Sequence, residues 1–515
     1  MLLAGVAFTL YLQTSIPGLV FATGDAGLKF LMTRQFAEGE LSTDLRLPAE
    51  PWLRSLWQTG LYPVPYPNVI EVGGRYRPQY PLAFPLASAL PYRLLGFRGL
   101  YLLPMLGTWV VWLALLRASR ALGASEMAHA AALAVLAFGT PLTFYSATFW
   151  EHTPAIALAF GGLALALAEG FRDARPARGL LAGSLVGTAP LLREELFVFA
   201  ALLGGVAVAL ARHPRLATLA RHFAAGLLIA CLLVLLSNLA LYGDPLGLHA
   251  IVNIGLSDQR AAGSARAALR FLVEAAFTHF PMAALVIPAA LLAAWRRRTP
   301  HARSSAAMVL LAIAFSVVVP PLIADAGGRQ WGPRFLLIVF PLLCLAMAPL
   351  LEILNGSRRR CWRNLGYAAV AAIALLGVKT NTLDAAEYLF NSYGQRMASL
   401  RAVEASESKI VAVSHESVAL QLAPLVGTKQ LLLTRRATDL RELARRAARA
   451  GHRRFMYVCY PNYGCGRLEE GPQRLTFFRA GTSQPLIEFE LGGPAGRYLV
   501  YEARIVSPPE TGDLQ

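Results

Sequence analysis

Residues 222–242, HFAAGLLIACLLVLLSNLALY, run for 21 positions with no acidic, lysine or arginine side chain. A helix that spans a bilayer needs about 20 mostly apolar residues, so this segment is predicted to cross a membrane. The whole chain shares its character, with 56% hydrophobic and 15% charged residues and a mean hydropathy of +0.47. Typical soluble domains carry about 25% charged residues. Lipid is therefore the expected main solvent of this protein.

Ten further apolar runs flank this segment on both sides. The predicted spans are 2–22, 99–116, 127–147, 153–169, 178–192, 195–211, 222–242, 272–294, 305–324, 335–352 and 364–379. We therefore predict an α-helical polytopic membrane protein with about eleven transmembrane helices and a small C-terminal α/β soluble domain. The predicted domains are a transmembrane domain, 1–379, which includes an outer segment at 23–98, and an extracytoplasmic domain, 380–515.

The arginines indicate how the chain is oriented. Loops 117–126, 171–178, 211–222, 295–303 and 356–363 together hold 16 arginines, and the alternate short loops hold 6. Lysine and arginine accumulate in cytoplasmic loops, so the N-terminus is predicted to be cytoplasmic. The C-terminal tail, residues 380–515, is predicted to lie outside. We expect the net charge of +17 to reflect this orientation, with no nucleic acid as partner. The first run lacks the positive start of a signal peptide and is interpreted as a span.

The outer segment 23–98 is predicted to begin with a short amphipathic helix. Between Asp25 and Glu38, apolar residues recur at the spacing of one helical face, which suits a helix lying on the membrane surface. The stretch Tyr62–Pro67 follows, and its prolines exclude long regular helix there.

The tail is predicted to be a small α/β domain. Strand-like runs lie at Lys409–Ser414, Arg454–Tyr460 and Tyr498–Ile505, and an arginine-rich helical pattern covers Thr438–Ala450. The chain has five cysteines, which exclude a disulfide-rich scaffold and show no zinc-binding spacing. Cys459 and Cys465 fit either a disulfide in an oxidising compartment or two free thiols.

Four polar clusters are predicted to lie at the outer ends of the spans. They are Asp25 with Lys29 one helical turn later, Glu151-His152 between the third and fourth spans, Arg193-Glu194-Glu195 between the fifth and sixth, and the loop up to Arg334 that contains Arg329 and Trp331. Ionisable groups at membrane depth are costly and tend to be functional. Because all four clusters fall on one side of one membrane, the sequence predicts one outer cavity.

Each cluster also has a structural interpretation. Asp25 fits the N-cap of the following helix, since aspartate is a favoured capping residue. Glu151-His152 fits an ordinary polar loop. Arg193 fits an ion pair with Glu194 or Glu195 that holds a hairpin. The two arginines of the late loop fit interfacial anchors whose charged ends reach the headgroups.

Taken together, the clusters suit transfer of a sugar from a polyisoprenyl phosphate. Arginine binds phosphate bidentately and stays charged, and it would stabilise the negative charge that develops as the lipid phosphate departs. The acceptor hydroxyl or amine needs a base, which a carboxylate at the membrane surface can supply.

The same residues carry a family resemblance over residues 1 to about 355. The chain resembles the GT-C superfamily of membrane glycosyltransferases, in particular the bacterial relatives of protein O-mannosyltransferases and the aminoarabinose transferases. The supporting features are Asp25 after the first span, the Gly-Arg-Tyr…Tyr-Pro stretch Gly74–Pro81, the motif Phe149–His152, and the Trp-Gly-Pro-Arg-Phe stretch Trp331–Phe335.

The resemblance implies roles for individual residues. Asp25 would be the catalytic base, Glu151 and His152 would organise the acceptor or an ion, and Arg329 and Arg334 would bind the donor phosphate. The rest of the predicted substrate-binding set is Lys29, Arg193, Glu194 and Trp331. Some relatives carry two adjacent acidic residues after the first span, whereas Ala26 follows Asp25 here. Others bind a divalent metal through acidic motifs not recognisable in this chain, so metal dependence stays open.

The favoured hypothesis is an enzyme of the bacterial inner membrane that moves a sugar from a polyisoprenyl-phosphate donor to an extracytoplasmic glycan, lipid or protein. One alternative is a transporter or flippase, which often shows paired halves and helices interrupted at the midplane. Another is a non-catalytic subunit of an envelope polysaccharide assembly system, since fold does not establish activity.

Overall fold

The computed structural model describes residues 1–170, 175–214, 216–258, 264–296, 302–323, 331–357, 359–461, 474–478 and 485–506. The chain forms two compact units. The helical unit comprises Met1–Ser15 and Arg98–Tyr388, and the mixed unit comprises Ile16–Phe97 and Leu389–Gln515.

Helices make up most of the described chain. In chain order they are α1 (Leu2–Ser15), α2 (Gly24–Ala37), α3 (Pro51–Leu56), α4 (Ala83–Leu95), α5 (Leu102–Ala121), α6 (Glu126–Phe138), α7 (Leu142–Ser146), α8 (His152–Gly170), α9 (Pro176–Thr188), α10 (Leu196–Leu210), α11 (Ala217–Tyr242), α12 (Leu248–Asp258), α13 (Ser264–His279), α14 (Ala283–Arg296), α15 (Ala302–Leu322), α16 (Val339–Leu345), α17 (Ala348–Asn355), α18 (Arg360–Val378), α19 (Ala385–Ala405), α20 (Glu416–Gln421) and α21 (Ala437–Arg449). The strands are β1 (Val69–Val72), β2 (Arg75–Pro78), β3 (Ile410–Val413), β4 (Gln430–Leu433), β5 (Arg454–Cys459), β6 (Arg474–Phe478), β7 (Pro485–Ala495) and β8 (Tyr498–Ile505).

The protein is a multi-pass membrane protein. Among the described residues, five helical segments are long and apolar enough to span a bilayer, or six if the bent pair α13–α14 forms one span. Four shorter apolar helices accompany them, at Leu2–Ser15, Glu126–Phe138, Leu196–Leu210 and Val339–Asn355. The polytopic helical class is thus confirmed, and the count of eleven spans stays a prediction.

Helix α11 contains the apolar run 222–242 and has a largely uncovered surface. Leu228 is 70% exposed and Leu233 is 59% exposed, and further leucines along the helix are similarly bare. Leucines bared in this way along a whole helix would be unfavourable in water but suit contact with lipid tails. The other face packs on α9, where a Cβ atom on Gly183 would lie 1.9 Å from the carbonyl oxygen of Phe223. Such close backbone approach is typical of helices packed within membranes.

Several predicted spans are interrupted helices. The predicted span 127–147 breaks after Phe138, and α7 begins after Pro141. The helix pair α13 and α14 is bent by 93°. The predicted span 2–22 ends as a helix at Ser15, because Pro17 disfavours helical geometry before it and cannot donate a backbone hydrogen bond. Breaks are tolerated at membrane depth where protein surrounds them, and every residue of α7 is buried.

A six-stranded mixed sheet organises the mixed unit. Its strand order is β4-β3-β5-β8-β7-β6, with β3 parallel to β4 and β5 and with the other neighbours antiparallel. The predicted strands and the arginine-rich helix α21 are confirmed, whereas the sequence prediction missed β4, β6 and β7. Helix α21 buries Leu440, Leu443, Ala444 and Ala447.

The outer segment shares a core with the tail, which differs from the predicted domain division. Leu53, Leu56 and Leu61 belong to the same buried cluster as Ile410, Phe455 and other residues of the tail strands and of α21. Residues 16–97 therefore fold with the tail, whereas the predicted boundaries grouped 23–98 with the spans. These contacts join residues several hundred positions apart, which local sequence patterns do not reveal.

The predicted helix at the start of the outer segment is confirmed as α2, but protein covers most of it. Gly27 packs on α20 so closely that a Cβ atom there would lie 1.9 Å from the carbonyl oxygen of Leu420. The ring of Phe30 meets that of Tyr92 in α4 edge to face at 5.6 Å. The adjacent hairpin β1–β2 turns at Gly73 and Gly74, whose φ values of 59° and 75° match a two-residue hairpin loop.

Cys459, at the end of β5, is disulfide-bonded. This excludes the interpretation in which it is a free thiol. Cys465 lies outside the described residues.

Candidate active site

Arg193 is the centre of a buried ion-pair network in the helical unit. It lies between α9 and α10, and its side chain is 6% exposed. Its Nη1 donates to Glu151 Oε1 at 3.1 Å, and its Nε donates to the two carboxylate oxygens of Glu195 at 3.0 and 3.1 Å. Among the described residues, its buried Nη2 has no hydrogen-bond partner. The network ties the beginning of α8 to the beginning of α10 and leaves the two N–H groups of Nη2 unused within the described residues.

A second arginine approaches the same place. The guanidinium of Arg334 lies 5.2 Å from the ring centroid of Trp150 and 4.9 Å from that of Phe335. The guanidinium of Arg193 lies 5.2 Å from the same Phe335 ring. Cations are attracted to aromatic faces at such distances. Two guanidinium groups therefore converge on one phenylalanine ring.

His152 belongs to an aromatic stack that includes Trp150, the ring that Arg334 approaches. Its ring centroid lies 5.3 Å from that of Tyr145 and 5.0 Å from that of Trp150. The hydroxyl of Tyr145 donates to the backbone carbonyl of Trp331 at 2.8 Å. The half-buried ring of Trp331 also stacks on Phe144 at 5.9 Å. The stack fixes the segment before α8 against the segment that carries Arg334.

Glu194 faces partners different from those of Glu195. It accepts a hydrogen bond from His249 Nδ1 and a longer one, of 3.4 Å, from Asn253 Nδ2. His249 and Asn253 stand one turn apart on α12 and were missed in the sequence prediction. The sequence signal that could have revealed them was their spacing of four residues, which places two polar side chains on one face of an apolar helix. For Arg193 and Glu195, this favours the interpretation as an ion pair that holds the hairpin between α9 and α10. Glu194 instead connects this hairpin to α12.

Two cavities lie on either side of the segment that follows Arg334. One is a polar crevice of about 10 Å³, the room of about one water molecule. Its lining residues are His152, Ala155, Ile156, Arg193, Glu195, Leu196, Arg334, Phe335, Leu337 and Ile338. The other is an apolar cavity of about 360 Å³ between α13, α14, α15 and α16, to which Leu336, Val339 and Phe340 contribute. The structure thus brings together His152, Arg193 and Arg334.

Asp25 and Lys29 belong to the mixed unit. The N-cap of α2 is Thr23, and Asp25 occupies the first turn, so the interpretation of Asp25 as the capping residue is wrong. Asp25 is half-buried. Lys29 is 3% exposed, and its Nζ lies 4.7 Å from the ring centroid of Tyr80. Part of the Gly74–Pro81 stretch therefore has a packing role.

Arg329, the other predicted phosphate ligand, lies outside the described residues. Within the described ranges, no three histidine, cysteine or acidic side chains are grouped as ligands of one metal ion.

Similarity to known proteins is found in structure. No protein-family model matches the sequence, and no curated protein matches it significantly. The structure of ArnT from Cupriavidus metallidurans bound to undecaprenyl phosphate has a TM-score of 0.55 at 13% identity, covering 99% of both chains. The apo ArnT structure gives 0.54 at 13% identity, covering 97% of both chains. An apo oligosaccharyltransferase from Archaeoglobus fulgidus gives 0.48 at 11% identity, covering 88% of this chain and 69% of the other.

The two ArnT structures match the chain over nearly its whole length. Because the identity is only 13%, this similarity supports a conclusion about the fold alone. The chain has the fold of the ArnT structures, so the fold that its family resemblance implies is confirmed.

Proposed function

We propose that the protein is a membrane glycosyltransferase that moves a sugar from a polyisoprenyl-phosphate donor to an extracytoplasmic acceptor. The observation that carries this proposal is the segment Arg334–Phe340. Arg334, Phe335, Leu337 and Ile338 line the polar crevice, and Leu336, Val339 and Phe340 line the apolar cavity. One short segment therefore contributes to both a cationic surface and an apolar surface. A lipid phosphate needs the first to bind its phosphate and the second to bind its hydrocarbon chain.

The cationic side suits the donor phosphate. The buried Nη2 of Arg193 has no hydrogen-bond partner among the residues described, and the Arg334 guanidinium converges on the same ring, Phe335. Hydrogen bonds between guanidinium and phosphate are charge-assisted and often bidentate. The crevice has room for about one water, so donor binding requires side chains to move apart.

The apolar side suits the lipid tail. Its lining consists of apolar side chains from four helices together with the hydroxyl of Ser316. The polyisoprenyl tail would exchange contacts with lipid tails for contacts with these side chains, so close packing would hold it there. The ArnT structure that shares this fold holds undecaprenyl phosphate, which supports the same ligand class here.

In the proposed reaction, an acceptor hydroxyl or amine attacks the anomeric carbon of the sugar. The bond between that carbon and the phosphate oxygen breaks, and the lipid phosphate leaves with the electron pair. Asp25 accepts the proton from the acceptor, the role that the family resemblance implies. Glu151 and His152 organise the acceptor side, and Arg193 and Arg334 stabilise the charge on the departing phosphate.

The orientation in the proposal follows from the arginine distribution. The N-terminus is cytoplasmic, and the mixed unit lies outside the inner membrane of a bacterium. The disulfide at Cys459 supports this location, because disulfides persist in oxidising compartments and are rare in the cytosol.

The test is sugar transfer by the purified protein in phospholipid nanodiscs. Undecaprenyl phosphates carrying aminoarabinose, mannose, glucose or galactose would be supplied one at a time with an envelope extract. The readout is release of undecaprenyl phosphate together with label on the acceptor. Transfer that is lost in Asp25→Asn supports the proposal. Tight binding of undecaprenyl phosphate without transfer from any donor would instead favour the assembly-subunit alternative.

A further inference from the structure

A separate cavity of about 270 Å³ lies inside the mixed unit. Its walls come from α2, from residues 45–64, and from residues 419–431. Leu45, Tyr62 and Leu431 form a buried floor, while Arg46 and Ala49 are exposed at the rim. At about 30 Å³ for each water molecule, the space equals about nine waters, close to the lower end of small-molecule sites. None of the residues predicted to be catalytic or substrate-binding lines it.

Apolar groups form most of this lining. Leu31 of α2 and Leu420 of α20 contribute aliphatic surface, and Trp57 contributes a half-buried indole. The Trp57 ring is held edge to face against Tyr62 at 4.7 Å. A hydrocarbon chain would find a largely preformed apolar surface here.

The lining also contains three cationic side chains and one carboxylate, Glu38. Two of the cations already donate hydrogen bonds to other groups of the protein. Arg46 donates to Glu38 at 2.7 Å and to Glu40 at 2.7 Å. Lys429 Nζ donates to the carbonyl oxygens of Ser406 and Ser408, and burial lowers the pKa of Lys429.

Arg34 is the third cation and differs from the other two. Its side chain is 24% exposed, and its Nε lies 3.9 Å from Glu38 Oε1, too far for a hydrogen bond. The guanidinium lies over the Phe30 ring at 5.6 Å, and a Cβ atom on Gly427 would lie 3.7 Å from its Nη1. Among the residues that the structure describes, no group accepts a hydrogen bond from it. Burial lowers the pKa of Arg34, against a smaller opposing effect of Glu38.

We propose that this cavity binds an amphiphile whose single acidic group, a carboxylate or a phosphate, pairs with Arg34 and whose hydrocarbon part fills the apolar lining. A planar guanidinium with its donors unused selects a group that accepts two parallel hydrogen bonds. The unused donors of Arg34 favour an anion over a neutral alcohol, because hydrogen bonds to a charged acceptor are the stronger ones. This binding does not depend on the transfer reaction proposed above.

The test is quenching of tryptophan fluorescence by three bromine-labelled probes, ω-bromodecanoate, ω-bromodecyl phosphate and ω-bromodecanol. The full chain is held in phosphatidylcholine nanodiscs, and the difference from Trp57→Phe isolates quenching at the cavity from quenching in the bilayer. Both acidic probes should bind the wild type more tightly than the alcohol does. Arg34→Gln should weaken the acidic probes roughly ten- to hundred-fold, as expected for a lost hydrogen bond to a charged group. Arg34→Lys should lie between the two.

The matched control is Arg75→Gln. Arg75 also has a carboxylate at 3.9 Å, that of Asp44, but its side chain is 74% exposed and lies outside the cavity lining. This variant should bind all three probes as the wild type does. Ala49→Phe, at the exposed rim, should weaken all three probes by narrowing the entrance without adding a fluorescent reporter there. Wild-type affinity of Arg34→Gln for the acidic probes, or equal affinity of the alcohol, would overturn the proposal.

The source of the amphiphile is decided by adding phosphatidylglycerol to the nanodiscs. Competition with the acidic probes would identify an anionic bilayer lipid as the occupant, and its absence would identify a free single-chain amphiphile. Sugar transfer is measured separately on the wild type. Absence of transfer together with acid-selective probe binding would contradict the proposed function alone, whereas transfer without acid-selective probe binding would contradict this inference alone.

Discussion

Arg193 offers the most demanding test of the site, because it satisfies two buried carboxylates at once. The change to make is Arg193→Gln. In the wild type, the guanidinium bonds Glu151, whose side chain is 2% exposed, and Glu195, which is 8% exposed. The substitution leaves both carboxylates without their cation.

The expected cost follows from the burial of these groups. Removing one partner of a buried ion pair costs about 3–5 kcal/mol, because the remaining charge is uncompensated. Since two carboxylates are left, we expect a cost near the upper end, about 5 kcal/mol. The double variant Arg193→Gln with Glu195→Gln removes one of the two charges and should recover about 0.5–3 kcal/mol, the usual range of coupling between contacting residues.

The assay is thermal unfolding in nanodiscs at one fixed scan rate, because proteins of this kind often unfold irreversibly. A cost of this size should lower the apparent Tm by about 5–15 °C. The control is Arg270→Gln, which breaks a short ion pair of 2.7 Å to Glu274 whose partners are 80% and 63% exposed. That variant should unfold as the wild type does. A shift for Arg193→Gln no larger than that of Arg270→Gln would refute the structural role of the network.

The same pair of variants separates stability from ligand binding. If Arg193 also binds the donor phosphate, the double variant should regain stability yet bind undecaprenyl phosphate roughly ten- to hundred-fold more weakly than the wild type. Donor affinity that recovers together with stability would leave Arg193 a purely structural residue.

Three further predictions concern other groups. Asp25→Asn should reduce transfer by about 10²–10⁴-fold, the usual contribution of a catalytic base, and should leave the Tm unchanged because Thr23 is the N-cap of α2. Arg334→Ala should weaken donor binding more than Arg334→Lys does, because lysine keeps the charge but loses the planar fork. Acidification below about pH 4.5 should lower the Tm through Glu416. Burial is the largest effect on its pKa and raises it, but the hydrogen bond from Arg435, a backbone hydrogen bond and the charges of His415 and Arg435 together outweigh burial and lower the pKa below its ordinary 4.5. The stabilising ionised form is therefore lost as the pH falls.

Each of these predictions has its own check. A well-folded Asp25→Asn protein that transfers sugar at the wild-type rate would contradict the catalytic assignment. Arg296→Ala, an exposed change at the end of α14, should leave donor binding intact, and a loss equal to that of Arg334→Ala would indicate a folding defect. Glu416→Gln should remove its part of the acid sensitivity, and an unchanged pH profile in that variant would exclude this carboxylate as the cause.

Local patterns in the sequence were sufficient for the membrane class and for the positions of many helices. The apolar run 222–242 lies within α11, and the predicted spans 153–169 and 195–211 match α8 and α10 to within one residue at each end. Hydropathy succeeds here because an apolar run of span length has few stable environments other than lipid. It failed to reveal the breaks within α6–α7 and α13–α14, because apolar composition continues through each break.

The residues that form the site were predicted better than the contacts between them. Arg193, Glu151 and Arg334 were all singled out, but the sequence paired Arg193 with its neighbours in the chain. The structure confirms the pair with Glu195 and also joins Arg193 to Glu151, 42 residues away. His249 and Asn253 escaped prediction because their partner, Glu194, lies more than 50 residues earlier in the chain.

Hydropathy, charge and local periodicity were sufficient to predict that this chain is a membrane protein, where its polar clusters lie along the chain, and that its C-terminal part is an α/β domain. These properties act over a few turns of chain. The three-dimensional arrangement was needed to show that Leu53 and Leu56 share a core with the C-terminal strands and that two guanidinium groups meet at Phe335. It alone also revealed the cavity beside Arg34. Such features arise where distant segments pack against each other, because burial and charge pairing depend on which surfaces meet in space.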